Sequence, residues 1–387
     1  MVAAVHAGHS LRAVARAFQV SVPTVQRWVA RAGRRRLDRV DWADQPPVAH
    51  TVYRTPPEVE NQVLTLRHEL RETSALGEYG ARAIQREWPA KSWGPPPAVR
   101  TIGRILERRG ALDGQHRIRR PAPPRGWYLP PVARGVADCD CFDIIEGLVL
   151  QGGPEVEVLT GLALHAGLPD AWPTPGVTTA RLLPALQGRW RALGIPAFAQ
   201  FDNDTCFQGP HQFADVVGQI SRLCLQAGCV PVFTPVQDPS FQAALENFNG
   251  RWQAKVWHRF HHDSLRALQL RSAAYIAAAR QRGSARAAEA PARRRLPVRW
   301  QFDPTLPPCG QLIYVRRTDD QGAVTLLGHV FPVDRHWLHR LIRAEVTLPE
   351  GPLRFFALRR RTPESQPLLR EAHYELPEHR RPLHRCH

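Results

Sequence analysis

The chain changes its apolar rhythm twice along its length. Residues 10 to 33, SLRAVARAFQVSVPTVQRWVARAG, place Leu11, Val14, Ala15 and Phe18 at i, i+3, i+4 and i+7, one face of a helix. Gln19-Val20-Ser21 then makes a short turn, with Ser21 as N-cap and Pro23 in the first turn of a second helix. Val25, Trp28, Val29 and Ala32 give that helix its buried face and leave Thr24, Gln26, Arg27 and Arg31 outward. The pattern predicts a helix-turn-helix unit over residues 1–45, whose second helix enters a major groove. Beyond the basic stretch GRRRLDRVDWADQPP, Val59, Val63, Leu66 and Leu70 mark another helix, GARAIQREW a second and AVRTIGRILERRG a third. The third buries Val99, Ile102 and Leu106 and exposes Arg100, Thr101, Arg104 and Arg108. A second helix-turn-helix, winged-helix-like, is therefore expected over 54–115.

Residues 116–131 are rich in Pro and Arg, lack periodicity and read as a linker. From 132 to 282 the rhythm becomes α/β. VADCDCFDIIEGLVLQGGPEVEVLTGLAL reads as two long strands joined at Gly152-Gly153, and AFAQFD and PVFTP as short strands separated by helices. SFQAALENFNGRWQAKVWHRF reads as one long helix. This order predicts a mixed sheet flanked by helices. A basic linker follows over 283–296, and short alternating runs with a DDQG turn predict a small β-barrel over 297–378. The expected fold class is thus multidomain α/β.

Charge narrows the partner. Lys and Arg number 52 against 35 Asp and Glu, a net charge of +17, and lysine occurs only at Lys91 and Lys255. Arginine presents a planar fork suited to phosphate, so a polyanionic partner is expected, double-stranded DNA above all. No apolar run is long enough for a membrane span, and the N-terminal residues lack a secretory apolar region, so a cytoplasmic protein is expected. The seven cysteines fit no zinc framework: Cys139 and Cys141 are spaced C-x-C, and Cys224 and Cys229 lie five apart. They read as reduced, mostly buried thiols.

The candidate chemistry rests on three acids in different elements: Asp143 within the first strand, Asp202 ending a later strand, and Glu246 on the long helix. On that helix Leu245, Phe248, Trp252 and Val256 form the apolar stripe, and Glu246 lines up beside it with Asn249, Gly250 and Gln253. Carboxylates converging at one end of a sheet make a hard-oxygen site suited to Mg²⁺, with Mn²⁺ as the alternative. Arg251 and Lys255, on the same helix, are placed to steady a DNA backbone. His165 and His211 read as structural residues or as acid–base groups, and the ARRRLP and ALRRR runs as phosphate holders or solubilising surface.

FDIIEG, QFDNDTCFQG and FQAALENFNGRWQ together resemble the motifs of the integrase-type catalytic core, ribonuclease-H-like in fold, found in bacterial insertion-sequence transposases. The resemblance runs from roughly residue 130 to 265, and the order of helix-turn-helix arm, core and C-terminal barrel is similar too. It implies that Asp143, Asp202 and Glu246 are a metal-binding triad for 3′-end cleavage and strand transfer of DNA, acting as at least a dimer. Three departures stand out. Asp204 occupies a position that is usually Gly. The interval from Asp202 to Glu246, 246 − 202 = 44, is longer than usual. Asp138, Asp140 and Asp143 share one strand, with Asp140 the alternative first acid. A catalytically inactive helix-turn-helix regulator is the other reading of the same residues.

Overall fold

The computed structural model describes residues 1–43, 55–112, 125–209, 213–236 and 238–377. Contacts divide the chain into two units, residues 1–60 and 61–387.

In the first unit, α1 (Val2–His6), α2 (Leu11–Ala17) and α3 (Val22–Ala32) enclose Val14, Ala15, Val25 and Ala32. Ser10 and Ser21 cap the second and third helices, accepting the Ala13 and Thr24 N–H groups at 3.2 and 3.3 Å. Gln19 turns the chain between them with a left-handed φ of 52°. Phe18, expected on the buried face, is 52% exposed, because α2 ends at Ala17 and the turn swings the ring outward. The first helix lay outside the sequence expectation.

The second unit opens with α4 (Pro57–Thr73, all but its first turn), α5 (Ala81–Glu87) and α6 (Val99–Arg108), which bury Val63, Leu66, Leu70, Ile84, Ile102, Ile105 and Leu106 between them. Of the expected linker, residues 116–124 lie outside the described residues. The remainder is part of the core, with α7 (Pro130–Ala133) preceded by Trp127, Tyr128 and Leu129, all at most 3% exposed. Proline content masked three large side chains with a core to enter. Each contributes about 1.5–3 kcal/mol by its burial.

The core follows as β1 (Cys139–Val149), β2 (Glu155–Ala163), β3 (Pro169–Thr174), α8 (Thr179–Leu193), β4 (Phe198–Phe201), α9 (Thr205–Gln208), α10 (Gln219–Ala227), β5 (Val230–Phe233), α11 (Ala243–Trp252) and α12 (Leu265–Ala288). β1 and β2 form the expected antiparallel pair, and Gly152 and Gly153 supply the positive φ values of their turn. β3 is an addition. Its two prolines obscure a strand that sits at the sheet edge, where missing N–H donors are tolerated. α12 covers that edge, with Ser272 donating to the Ala171 carbonyl at 3.1 Å and Gln269 to Pro173 at 3.0 Å. The single long helix expected at 240–260 is broken: α11 runs into a π-helical turn at Gln253–Trp257.

The C-terminal strands depart most from expectation. β6 (Gly310–Arg317) pairs in parallel with β5, and β9 (Leu341–Leu348), β10 (Glu350–Ala357) and β11 (Leu368–Glu375) extend the same sheet. The result is one nine-stranded sheet in the order β11-β10-β9-β6-β5-β4-β1-β2-β3, in place of a barrel closed on itself. The hairpin of β7 (Ala323–Leu326) and β8 (His329–Pro332) packs Val324, Leu326 and Phe331 onto one face with α8 and α10. α11, α12 and the Trp127–Val132 segment cover the other. Alternating runs alone cannot distinguish a barrel from an extension of a neighbouring sheet, since both bury every second residue. The architecture is mixed α/β, one large mixed sheet with helices packed on both faces.

The expected basic linker at 283–296 is also revised. α12 continues to Ala288, and the following strap is pinned to the core: Arg294 bridges to Ile195 through its backbone and donates to the Ala227 carbonyl at 3.0 Å.

Candidate functional site

Strand parity decides which aspartate of β1 faces which layer. Cys141 and Ile145 point toward α11, whereas Phe142 and Ile144 point toward α8. Asp143 shares the first face, and Asp138 and Asp140, separated from it by odd intervals, share the second. The consequences are chemical. Asp140 is fully buried beneath α8, where Arg189 grips it through Nε at 2.9 Å and Nη2 at 2.8 Å. Arg189 also reaches Asp170 at 2.5 Å, and Arg293 joins Asp138 and Asp140, each at 2.8 Å. Burial alone would push the Asp140 carboxyl up, but Arg189 and Arg293 hold it well below the usual carboxylate range. These ion pairs make Asp140 a structural anchor and set Arg293, from the run read as a phosphate holder or surface, into the core.

Asp143 lies at the other face and meets Asp202. The parallel pairing of β1 with β4 runs Cys139 to Phe198, Asp140 to Ala199 and Cys141 to Gln200. Two residues further, the same register sets Asp143 abreast of Asp202, just past the end of β4. Asp202 Oδ1 accepts the Asp204 N–H at 3.0 Å, and Asp204 in turn caps α9 through the Cys206 N–H at 2.8 Å. The DND sequence is thus an Asx turn as well as a strand end, and Asp204 has a local task there. Asn249, one turn beyond Glu246 on α11, donates to Asp143 Oδ2 at 2.8 Å. Its Oδ1 is buried and takes no partner among the described residues.

The electrostatics follow from this crowding. Burial pushes Asp202 up to about 6, opposed by its bond from Asp204 N–H and reinforced by the charges of Asp143, Asp204 and Glu146. Burial likewise raises Asp143, with Glu246 and Glu146 adding to it and Asn249 opposing. Glu246 is raised by desolvation, although it stands on the exposed side of α11. Glu146 escaped the sequence reading. A β-bulge between Ile145 and Leu148, with Gly147 at φ 71°, interrupts the alternation and brings its charge to bear on both aspartates. Alternation counted along a regular strand could not have revealed it.

A hard divalent cation fits these donors in chemistry: carboxylates raised by desolvation and mutual repulsion, beside an unpartnered amide oxygen. Among the described residues, however, no three His, Cys, Asp or Glu side chains are gathered closely enough to enclose a metal ion.

The expected DNA contacts divide. Gln26 and Arg27 are exposed on α3. Thr24 is half-buried with its hydroxyl 2.7 Å from Ser21 Oγ, and Arg31 is held by the Ala43 carbonyl at 2.6 Å and stacks on Trp28. Arg100, Arg104 and Arg108 are exposed along one side of α6, with Thr101 half-buried. Arg251 is exposed and bonds the Asn247 carbonyl of its own helix at 3.2 Å. Lys255 is committed inward, donating to the Gly77 carbonyl at 3.0 Å and lying over the Tyr79 ring. Arg259 caps the end of α4 through the carbonyls of Ser74, Arg71 and Glu72. His165 bonds the Val132 carbonyl at 2.8 Å, a structural role, and His211 lies outside the described residues. All six cysteines among the described residues are free, with Cys309 exposed and Cys206 half-buried. No helix among the described residues is long and apolar enough to cross a membrane.

No protein-family model matches this chain, and no curated protein sequence matches it. Among solved structures, it is similar to the HTLV-2 integrase catalytic core domain in complex with magnesium in its dimeric form, at 13% identity and a TM-score of 0.24, over 30% of this chain and 69% of that one. It is similar to a chain of the simian T-cell lymphotropic virus intasome in complex with the PP2A regulatory subunit B56 gamma, at 14% identity and TM-score 0.34, over 71% and 88%. The BIV integrase catalytic core domain matches at 15% identity and TM-score 0.27, over 36% and 81%. Likenesses at this level carry no argument about the site, which rests on register and hydrogen bonds.

Proposed function

We propose that the chain is a DNA transposase or integrase that uses Asp143, Asp202 and Glu246 to hold Mg²⁺, or Mn²⁺, for 3′-end cleavage and strand transfer of an insertion sequence. The observation that carries this reading is the β1–β4 register, which puts two desolvated aspartates abreast beneath the helix bearing Glu246 and Asn249. A divalent cation held there supplies charge neutralisation at the phosphoryl group and a more acidic attacking oxygen. The chain's own residues do the positioning. Asn249 fixes the Asp143 carboxylate, the Asx turn fixes Asp202, and Glu246 turns inward from its exposed position to complete the set. Catalysis then rests on alignment and charge without a side-chain nucleophile. Gln26, Arg27, Arg100, Arg104 and Arg108 supply phosphate and groove contacts to double-stranded DNA, in the cytoplasm, with two or more copies bridging the two element ends.

The exposed Glu246 favours a second reading, a catalytically inactive DNA-binding regulator. The deciding experiment incubates the purified chain with duplex DNA carrying the repeats that flank its coding region, with Mg²⁺ or Mn²⁺. Nicked and joined products that vanish in Asp202→Asn, with DNA binding retained at matched salt, support the transferase. Binding without products under either metal supports the regulator.

A further inference from the structure

Arg316, on β6, differs from the arginines that acids hold in the core. Arg189 and Arg293 meet aspartates, and Arg343 meets Glu345 at 2.9 Å. The Arg316 guanidinium is fixed by neutral oxygens alone. Nη1 donates to the Thr234 and Val315 carbonyls, each at 2.9 Å, and Nη2 donates to Asn203 Oδ1 at 2.8 Å. Asn203 in turn donates to the same Thr234 carbonyl at 2.7 Å, so the ends of β4, β5 and β6 are tied by a closed ring of hydrogen bonds. The Tyr314 ring lies 5.0 Å beneath the charge. No carboxylate pairs with Arg316 among the described residues, and its Nε–H takes no partner there. The residue remains half-buried, and Nε is not among the sealed polar atoms that lack a partner.

A guanidinium taken partly out of water without a counter-anion is costly unless a ligand supplies one. Desolvation lowers it to about 10, so it remains a cation at neutral pH. Its Nε and Nη2 edge is the one that accepts phosphate in bidentate fashion, and here the fork is held before any ligand arrives. The residue it grips, Asn203, adjoins Asp202. We propose that Arg316 is a phosphate-binding site for the DNA backbone, seating a phosphate that flanks the reacting one at the C-terminal end of the sheet. This rests on the DNA-transferase reading for its substrate. It also gives the C-terminal strands a role in the site itself.

The test uses the full chain and duplex DNA carrying the flanking repeats, with Arg316→Gln and Arg316→Lys beside wild type and Asp202→Asn as the control for the acids. Thermal unfolding checks each variant. Arg316→Gln is expected to bind about tenfold more weakly at matched salt, the scale of a lost charge-assisted hydrogen bond. The slope of log affinity against log salt should flatten by about 0.9, one phosphate contact. Arg316→Lys should keep that slope and lose the affinity of the fork. Duplexes with single methylphosphonates then locate the contact: one neutralised position should weaken wild type and leave Arg316→Gln unaffected. Should Arg316→Gln unfold, the wild-type methylphosphonate scan decides alone, and loss spread evenly over all positions overturns the site. Wild-type products with unchanged affinity and slope in Arg316→Gln overturn it too, leaving Arg316 a brace, while the transferase reading stands. A flattened slope with no products from any protein keeps the phosphate site and removes the transferase.

Discussion

Replacing Asp202 by Asn should stabilise the chain while abolishing its proposed chemistry. Asp202 is held at about 6 in place of its ordinary 3.8. Between those two pH values the folded chain keeps a proton that the unfolded chain has lost, so this group's contribution to stability falls as pH rises from about 4 to 6. Above 6 the folded state carries the full cost, about 3 kcal/mol before screening. The carboxyl is only partly buried, and solvent screening brings the figure to about 1–2 kcal/mol. Asn keeps an Oδ1 acceptor for the Asp204 N–H and carries no charge, so the turn survives. Differential scanning calorimetry without divalent metal should show the unfolding midpoint of the variant raised by about 2–4 °C at pH 7.5. The gain should vanish near pH 4, where both residues are neutral. Added Mg²⁺ should narrow the difference by stabilising wild type alone. An equal gain at both pH values, or none at pH 7.5, would refute the burial of the Asp202 charge, reinforced by its acidic neighbours, as the cause.

Arg189→Met should destabilise the second unit by about 3–5 kcal/mol in urea unfolding, because Asp140 and Asp170 lose their shared cation in the core. A loss under 1 kcal/mol would mean that Arg293, on Asp140, and Arg280, which also pairs with Asp170, carry the network without it. Arg259→Met removes three hydrogen bonds from the end of α4 and should raise amide exchange across residues 71–79 tenfold or more, leaving β1 unchanged. Asn249→Ala should lower strand-transfer rate about tenfold with unchanged DNA affinity, since it frees the Asp143 carboxylate without touching the exposed arginines. A matching loss of affinity would show that Asn249 supports the fold instead.

Periodicity made much of the chain legible. The helices around Val25, Val63 and Ile102 and the β1–β2 pair follow from residue spacing, because each buries a face that its own sequence lays out. Asp202 was legible as a strand end that turns, and the pairing of Glu246 with Asn249 as neighbours on one helix face. Where local signals failed, the competing cause is identifiable. Prolines hid the edge strand β3 and the buried Trp127–Leu129 segment, and a π-helical turn broke what reads as one long helix. Lys255 and Arg293 look like surface cations in sequence, yet long side chains reach carbonyls and carboxylates many residues away.

The sequence by itself therefore determined most of the helices and strands, the excess of arginine, and the acids available for chemistry. Tertiary structure alone decided how those acids divide. Parallel pairing of β1 with β4 brings Asp143 to Asp202, and odd spacing commits Asp140 to Arg189 on the opposite face. It also decided that the C-terminal strands extend the core sheet and carry Arg316 to the turn beyond Asp202. The reason is physical: side-chain direction follows from local backbone geometry, whereas register between strands and the partner of a charge depend on contacts that span most of the chain.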